Sequence, residues 1–343
     1  MRTDVDVVPV DPRDDAAFAA WFAVLEADQQ HARPGEIDDL PHEQRLSALE
    51  GAEPGGDHLS VLLAARAHER TLGAVRIDVP LRDNPHLVEA TVVVHPGARR
   101  RGIGRQLARA VESLARQHGR STVVTFADEP PAELGCSPAR LAARRLGYEV
   151  AQQELRRDID LPLDPARAAG LLQICAPGAG GYRVCTWQER CPDALVDDRA
   201  ALSRHMSLDV PMDALDFREE AWDAARVRRR ERRTQAMDRT LVCGGAVHEA
   251  TGRLVAFTEL AVPRSAPTRA FQWDTIVLQA HRGHRLGTLV KLAALQVLSE
   301  VSPRSRYVST WNAAENAHMI AVNDALGARV NGGAVSLQKR LGA

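Results

Sequence analysis

Twice along this chain an apolar run breaks into a short turn of arginine and glycine and resumes as a stretch with helical spacing. Residues 91–94 lead through Arg99-Arg100-Arg101-Gly102-Ile103-Gly104 into 106–117, and residues 275–278 lead through Arg282-Gly283-His284-Arg285-Leu286-Gly287 into 289–298. A strand that feeds a tight turn into a helix leaves the helix's first N–H groups unpaired and aimed at one spot. That spot carries partial positive charge and attracts phosphate. The same junction built twice predicts two related halves.

The 343 residues are enough for two domains with proper cores. A formal net charge of −1 and a pI near 6.9 argue against a nucleic-acid or membrane partner for the molecule as a whole. Of the 44 basic side chains only Lys291 and Lys339 are lysine, a bias that, with abundant alanine, fits a GC-rich genome. The amino terminus is charged and lacks an apolar signal core, and no run approaches the roughly 20 apolar residues of a membrane span. The expectation is a cytoplasmic protein. Five cysteines without a C-x-x-C pair predict reduced thiols, with neither a disulfide framework nor a metal site.

Periodicity gives the elements. Strands are expected at 5–10, 59–66, 72–79 and 88–94, helices at 14–28 and 41–49. After the first motif helix come a strand at 121–126, a helix at 137–146 ended by Gly147, and a strand within 149–159. Residues 161–181 read as a connector with room for a short helix. The order then recurs: strand 182–187, helices 193–205 and 219–236, strands 241–248, 254–262 and 271–278, the second motif helix, strand 307–311, helix 317–326 ended by Gly327, and strand 334–339. The spacing agrees with a duplication, Arg99 to Gly147 being 48 positions and Arg282 to Gly327 being 45.

Both halves resemble the GNAT superfamily of acyl-CoA-dependent N-acetyltransferases, and the resemblance covers nearly the whole chain. The family signature, R/Q-x-x-G-x-G/A between the fourth strand and third helix, is met by Arg99, Gly102 and Gly104. Arg282 and Gly287 meet it in the second half, where Arg285 stands in place of the first glycine. Other phosphate motifs fit worse: G-x-x-x-x-G-K-[ST] is missing, and neither turn has an acidic residue at ribose distance in a parallel βαβ unit. The resemblance implies an α/β fold, each half a mixed, mostly antiparallel sheet with flanking helices, in two tandem GNAT-like domains: 1–160, a linker 161–181, and 182–343. It implies acetyl-CoA as co-substrate, without a metal. Val92 and Val94 in one half, and Ile276, Val277 and Leu278 in the other, would run along the pantetheine. Arg99, Arg101, Gly102, Ile103, Gly104 and Arg105, and Arg282, Gly283, His284, Arg285, Leu286, Gly287 and Thr288, would surround the phosphates. Arg100 and Arg109 read as solvated surface.

The halves differ in the later helix. There the family often has an Asn facing the cofactor and, seven residues on, a Tyr that protonates the departing thiolate. The second half has Asn316 and Asn323 at these positions; the first has Cys136 and Ala143. Helix capping is the alternative role for Asn312 or Asn316 and suits Asn323 poorly. The second half is therefore expected to be catalytic and the first degenerate. An amine acceptor must lose a proton, its pKa being near 10, and Asp274 is the first candidate base, with Glu259 next. Glu89 is the equivalent of Asp274 in the first half. Backbone N–H groups near Val277 would hold the oxyanion. Tyr148, Tyr182 and Tyr307 are the three tyrosines and none is at the acid position, so water, His318 or the acceptor's own proton must serve. His284 reads as a phosphate neighbour or surface residue, and the arginine run 226–233 as a solvated helix face laced with Glu231.

These features predict acetyl transfer to a primary amine of a small molecule by direct attack in a ternary complex, no cysteine of the second half occupying a motif position. Two alternatives stand beside it: a mycothiol-synthase-like tandem enzyme, and a non-catalytic CoA-binding sensor or scaffold. Acceptor determinants are expected in the early helices and the stretch 207–217. A monomer is expected because the halves already form a pair.

Overall fold

The computed structural model describes residues 4–51, 56–209 and 215–342. Residues 210–214, part of the stretch expected to face the acceptor, lie outside them. Two compact units emerge, and each takes residues from both halves of the chain. The first consists of the described residues of Met1–Gln153, Met212–Arg218 and Gly332–Ala343; the second, of Glu154–Pro211 and Glu219–Asn331.

The first half contributes β1 (Asp6–Pro9), α1 (Asp15–Ala32), α2 (Pro41–Glu50), β2 (His58–Ala67), β3 (Arg70–Pro80), β4 (Leu87–Val94), α3 (Ile103–Gln117), β5 (Thr122–Glu129), α4 (Pro138–Arg145) and β6 (Glu149–Asp160). The rest contributes α5 (Pro165–Cys175), β7 (Tyr182–Gln188), α6 (Val196–Asp209), α7 (Ala224–Ala236), β8 (Arg239–His248), β9 (Arg253–Pro263), β10 (Arg269–Val277), α8 (Leu286–Val301), β11 (Tyr307–Ala313), α9 (Ala317–Ala325) and β12 (Arg329–Arg340). The expected order of elements is present, in a mostly antiparallel architecture.

The boundaries at 160 and 182 do not match the units. In the first, the sheet runs β1-β2-β3-β4-β5 and is completed by Gly333–Arg340 of β12, antiparallel to β5. In the second, it runs β7-β8-β9-β10-β11 and is completed by Glu154–Asp160 of β6, antiparallel to β11. Alternation of side chains shows that a strand will pair but not which edge it will join, so the exchange left no mark in the pattern. Nor is 161–181 only a linker: α5 lies in the second unit, where Leu161, Leu163, Ala168 and Leu171 pack on the core.

Each sheet is covered on both faces. In the first unit Ile103, Leu107, Val111 and Ala115, spaced four apart on α3, are buried on one face, and Phe18, Trp21, Val24 and Leu25 of α1 on the other. Each large side chain so buried contributes about 1.5–3 kcal/mol. In the second unit α8 covers one face with Leu289, Leu292, Leu295 and Leu298, while Leu202 of α6 packs on the other with Trp187, Phe257 and Ile276. α7 starts at Ala224 rather than 219 because the Asp223 side chain accepts from Arg226 N at 2.7 Å and caps it.

Candidate active site

The two turns have one backbone path and spend their glycines differently. Positive φ occurs at Arg100 (65°) and Gly102 (87°) in the first unit, and at Gly283 (87°) and Arg285 (56°) in the second. The two left-handed positions correspond, and each turn places its one glycine at a different one. Arg285 thus departs from the glycine pattern without losing the turn, at a local conformational cost. Both helices begin beyond this point with first-turn N–H groups that have no partner inside the helix. In α3 the first bond is Gln106 N to Gly102 O at 3.3 Å; in α8, Thr288 N and Leu289 N both reach Arg285 O, at 3.1 and 3.2 Å. The second helix closes one residue earlier, so the N–H of Thr288 is already used and those of Leu286 and Gly287, both buried residues, are the ones left without a partner inside the helix.

The leading arginine of each turn braces it. Arg99 Nε donates to Val94 O at 3.4 Å and Arg282 Nε to Val277 O at 3.2 Å, in each case the last residue of the preceding strand. Arg99 is also ion-paired with Asp28 of α1. Arg101 Nη2 donates to Gly97 O at 3.0 Å. His284 Nδ1 lies 3.1 Å from Gly178 O, and Tyr182 Oη is 2.9 Å from His281 Nδ1. Burial and the neighbouring His248 and His284 lower the pKa of His281.

Below each turn the sheet opens. β4 and β5 pair in parallel only from Leu87/Thr122 to Ala90/Thr125, and β10 and β11 only from Arg269/Tyr307 to Phe271/Ser309. Beyond these points Val92 and Val94, or Ile276 and Val277, lie on a strand with one backbone edge turned to a gap. β10 also carries a register shift between Gln272 and Thr275 that the first unit lacks in β4. The bulge changes the alternation: Trp273 and Ile276, three residues apart, both pack on the α6 side.

On the α1 side of the first unit a cleft of about 290 Å³ opens against Glu89 and Thr91, with Asp39, Asp78, Arg76 and Phe126 around it. Arg76 Nε holds Asp78 at 2.8 Å. The corresponding place in the second unit is filled. Glu259, expected as a second base, is buried with one oxygen 2.9 Å from Arg199 and the other 2.7 Å from Arg230. Both guanidiniums oppose the effect of burial and hold its pKa below the usual range, so its role is structural. Arg230 also pairs with Asp274 at 3.2 Å and lies over Trp222 and Trp273. Arg228 is engaged by Glu231 at 2.7 Å and Asp193 at 2.6 Å, so much of the arginine run is internally paired.

The α8 side of the second gap is polar. Lys291, 1% exposed, donates from Nζ to Asn323 Oδ1 at 2.7 Å, and Asn323 Nδ2, fully buried, donates to Asn312 Oδ1 at 2.6 Å. These residues come from α8, α9 and the end of β11 that has parted from β10. Burial alone lowers the pKa of Lys291 to about 7. Aligning helix starts (Ile103 with Leu286), strand starts (Thr122 with Tyr307) and terminating glycines (Gly147 with Gly327) puts Ala108, Ala127 and Ala143 at the same three places of the first unit.

Asn316 is the N-cap of α9, its Oδ1 accepting from Met319 N at 3.1 Å, so that oxygen is committed to the helix. His318 is exposed, on the helix's first turn. Sequence reading passed over Lys291 although its signal was present: a lysine at a site where almost every other cation is arginine. Among the described residues no group of three or more His, Cys, Asp or Glu could hold a metal ion, and no helix is long and apolar enough to cross a membrane.

A glycine-bearing turn that opens a helix beside a parting pair of strands, in each of two units, is the arrangement of an acyl-CoA-dependent transferase fold. Residues 21–148 match the model of the acetyltransferase (GNAT) family. Comparison with curated proteins gives no match. Among solved structures, a tandem GNAT protein from the clavulanic acid biosynthesis pathway is 28% identical, with a TM-score of 0.77 over 99% of both chains. A GCN5-related N-acetyltransferase from Sphaerobacter thermophilus shares the fold at 16% identity and a TM-score of 0.66, over 100% of this chain and 98% of that one. Residues 21–148 thus form a GNAT-family domain, and the chain as a whole is similar to a tandem GNAT protein, which fits an acetyl-CoA-dependent acetyltransferase.

Proposed function

We propose that the second unit transfers the acetyl group to a primary amine of a small molecule by direct attack, and that the first unit is the degenerate copy. The observation that carries this is the Lys291–Asn323–Asn312 chain, at a gap where the first unit has three alanines. Buried polar groups are costly unless used, and a duplicated unit without chemistry to perform replaces them with small apolar residues. The N–H groups of Leu286 and Gly287 would receive the diphosphate. The extended arm would follow the open edge of β10, as an added strand does, and bring the thioester to the bulge. Asp274 is the carboxylate beside that bulge: an incoming ammonium would compete with Arg230 for it and lose its proton there or to water. Five free thiols fit action in the cytoplasm.

A second reading, chemistry in the first unit with Glu89 as base, is favoured by the open acidic cleft there. Gly104→Glu and Gly287→Glu separate the two. A Cβ at either glycine meets only a valine methyl, at 3.6 and 3.7 Å, so the backbone tolerates it while the carboxylate repels phosphate. With acetyl-CoA and an amine panel, free thiol release should fall at least ~100-fold in Gly287→Glu and stay within about two-fold in Gly104→Glu. The reverse pattern would move the chemistry to the first unit. Acetyl-CoA binding without thiol release from any amine would favour the sensor.

A further inference from the structure

We infer that Lys291 is the general acid of the second unit, delivering its ammonium proton to the sulfur of coenzyme A as the thioester C–S bond breaks. This rests on the assignment of chemistry to that unit. Lys291 is five residues into α8, roughly 7.5 Å from the phosphate-binding end. Thr275, at the bulge, lies two residues back from the end of β10, roughly 6.6 Å along the strand. The helix runs back over the strand it follows, so the ammonium and the bulge lie at about the same depth. An extended arm anchored at Leu286 and Gly287 would bring its sulfur to that depth. Lys291 spends one N–H on Asn323, and Asn323 is itself fixed by Asn312, so the amine is aimed from both sides of the gap while two N–H bonds remain for a ligand.

The choice of residue supports the role. A guanidinium stays protonated throughout the useful pH range and cannot donate and regain a proton, whereas a buried lysine can. With arginine at nearly every other basic position, lysine here is what proton transfer requires. Burial brings Lys291 to about 7, where both of its forms are populated. Charged groups on the surrounding elements have partners of their own: Asp324 of α9 with Arg157 of β6 at 3.3 Å, Asp274 of β10 with Arg230, and Glu259 of β9 with Arg199 and Arg230.

The step balances. The neutral acceptor nitrogen bonds to the carbonyl carbon, the tetrahedral adduct collapses with loss of the C–S bond, and sulfur takes the proton of Lys291. The neutral amine of Lys291 then regains one proton from solvent, while the acylated nitrogen releases its one excess proton through Asp274 or water.

The test compares Lys291→Met, Lys291→Arg and Asn323→Ala with wild type, as full chains, by acetyl-CoA binding and by thiol release from pH 6 to 9. Lys291→Met should keep acetyl-CoA affinity within about three-fold and lose ~100-fold in kcat at pH 7. The fall in wild-type rate above pH 7 should vanish. Lys291→Arg, which keeps the charge without a transferable proton, should not rescue; Asn323→Ala should keep a pH limb but shift its midpoint. If Lys291→Met retains wild-type kcat and pH profile, or if Lys291→Arg restores activity, the inference fails. Should Lys291→Met fail to bind acetyl-CoA, the Asn323→Ala limb decides: an unmoved midpoint overturns the role. Gly287→Glu tells this failure from that of the unit assignment, because it remains inactive if only Lys291 has been misread.

Discussion

Replacing Lys291 by methionine should make the protein more stable at neutral pH. Met fills nearly the same volume without a charge. In the unfolded chain Lys291 titrates at its ordinary value near 10.5, and in the fold at about 7, a difference of about 5 kcal/mol between charged and neutral burial. Against this, Met forfeits the bond to Asn323 and leaves Oδ1 unsatisfied, costing about 2 kcal/mol. The net at pH 7 is a gain of about 2–3 kcal/mol. The folded pKa is the lower one, so between pH 7 and 10.5 the unfolded chain holds a proton that the folded chain has released, and wild type gains stability as pH rises. The advantage of Met must therefore shrink by up to about 1.4 kcal/mol per pH unit and reverse near pH 9. Urea unfolding followed by tryptophan fluorescence at pH 7, 8, 9 and 9.5 measures this, because Trp187, Trp222, Trp273 and Trp311 all lie in the second unit. A difference between the two proteins that stays constant with pH would refute the reasoning.

Arg285→Gly should raise the stability of the second unit by about 0.5–1 kcal/mol in the same assay, since glycine adopts a φ of 56° without strain. Glu259→Ala should cost about 3 kcal/mol, read as an earlier urea midpoint, because it strands the buried Arg199 without its carboxylate and leaves the half-buried Arg230 with Asp274 alone.

Much of the fold was legible because period and punctuation agreed. α3 was read from the four-residue spacing of Leu107, Val111 and Ala115, β10 from its apolar run, and the later helices from Gly147 and Gly327. What stayed hidden depends on partners far away in sequence. Glu259 looked like a base because nothing in its strand shows that arginines 60 and 29 positions away close over it. Asn316 was read as facing the cofactor, although capping, the alternative weighed beside it, is where its oxygen goes. Lys291 drew no reading, since α8 is apolar on both sides of it. The arginine missing its glycine was puzzling only while the turn was compared letter by letter; its φ shows that the glycine had moved two residues upstream.

The exchange of β6 and β12 has a genetic consequence. A chain divided between Asp160 and Tyr182 would give two polypeptides, neither of which encodes a finished sheet. The amino-terminal piece would expose the whole edge of β5 from Thr122 to Glu129 and carry β6 with no β11 to receive it; the other would expose β11 and carry an unclaimed β12. Unpaired edges recruit whatever strand is available. Separately expressed halves should thus recombine with each other or aggregate, and once the duplicated copies had traded strands, neither could be lost or shuffled into another gene without its twin.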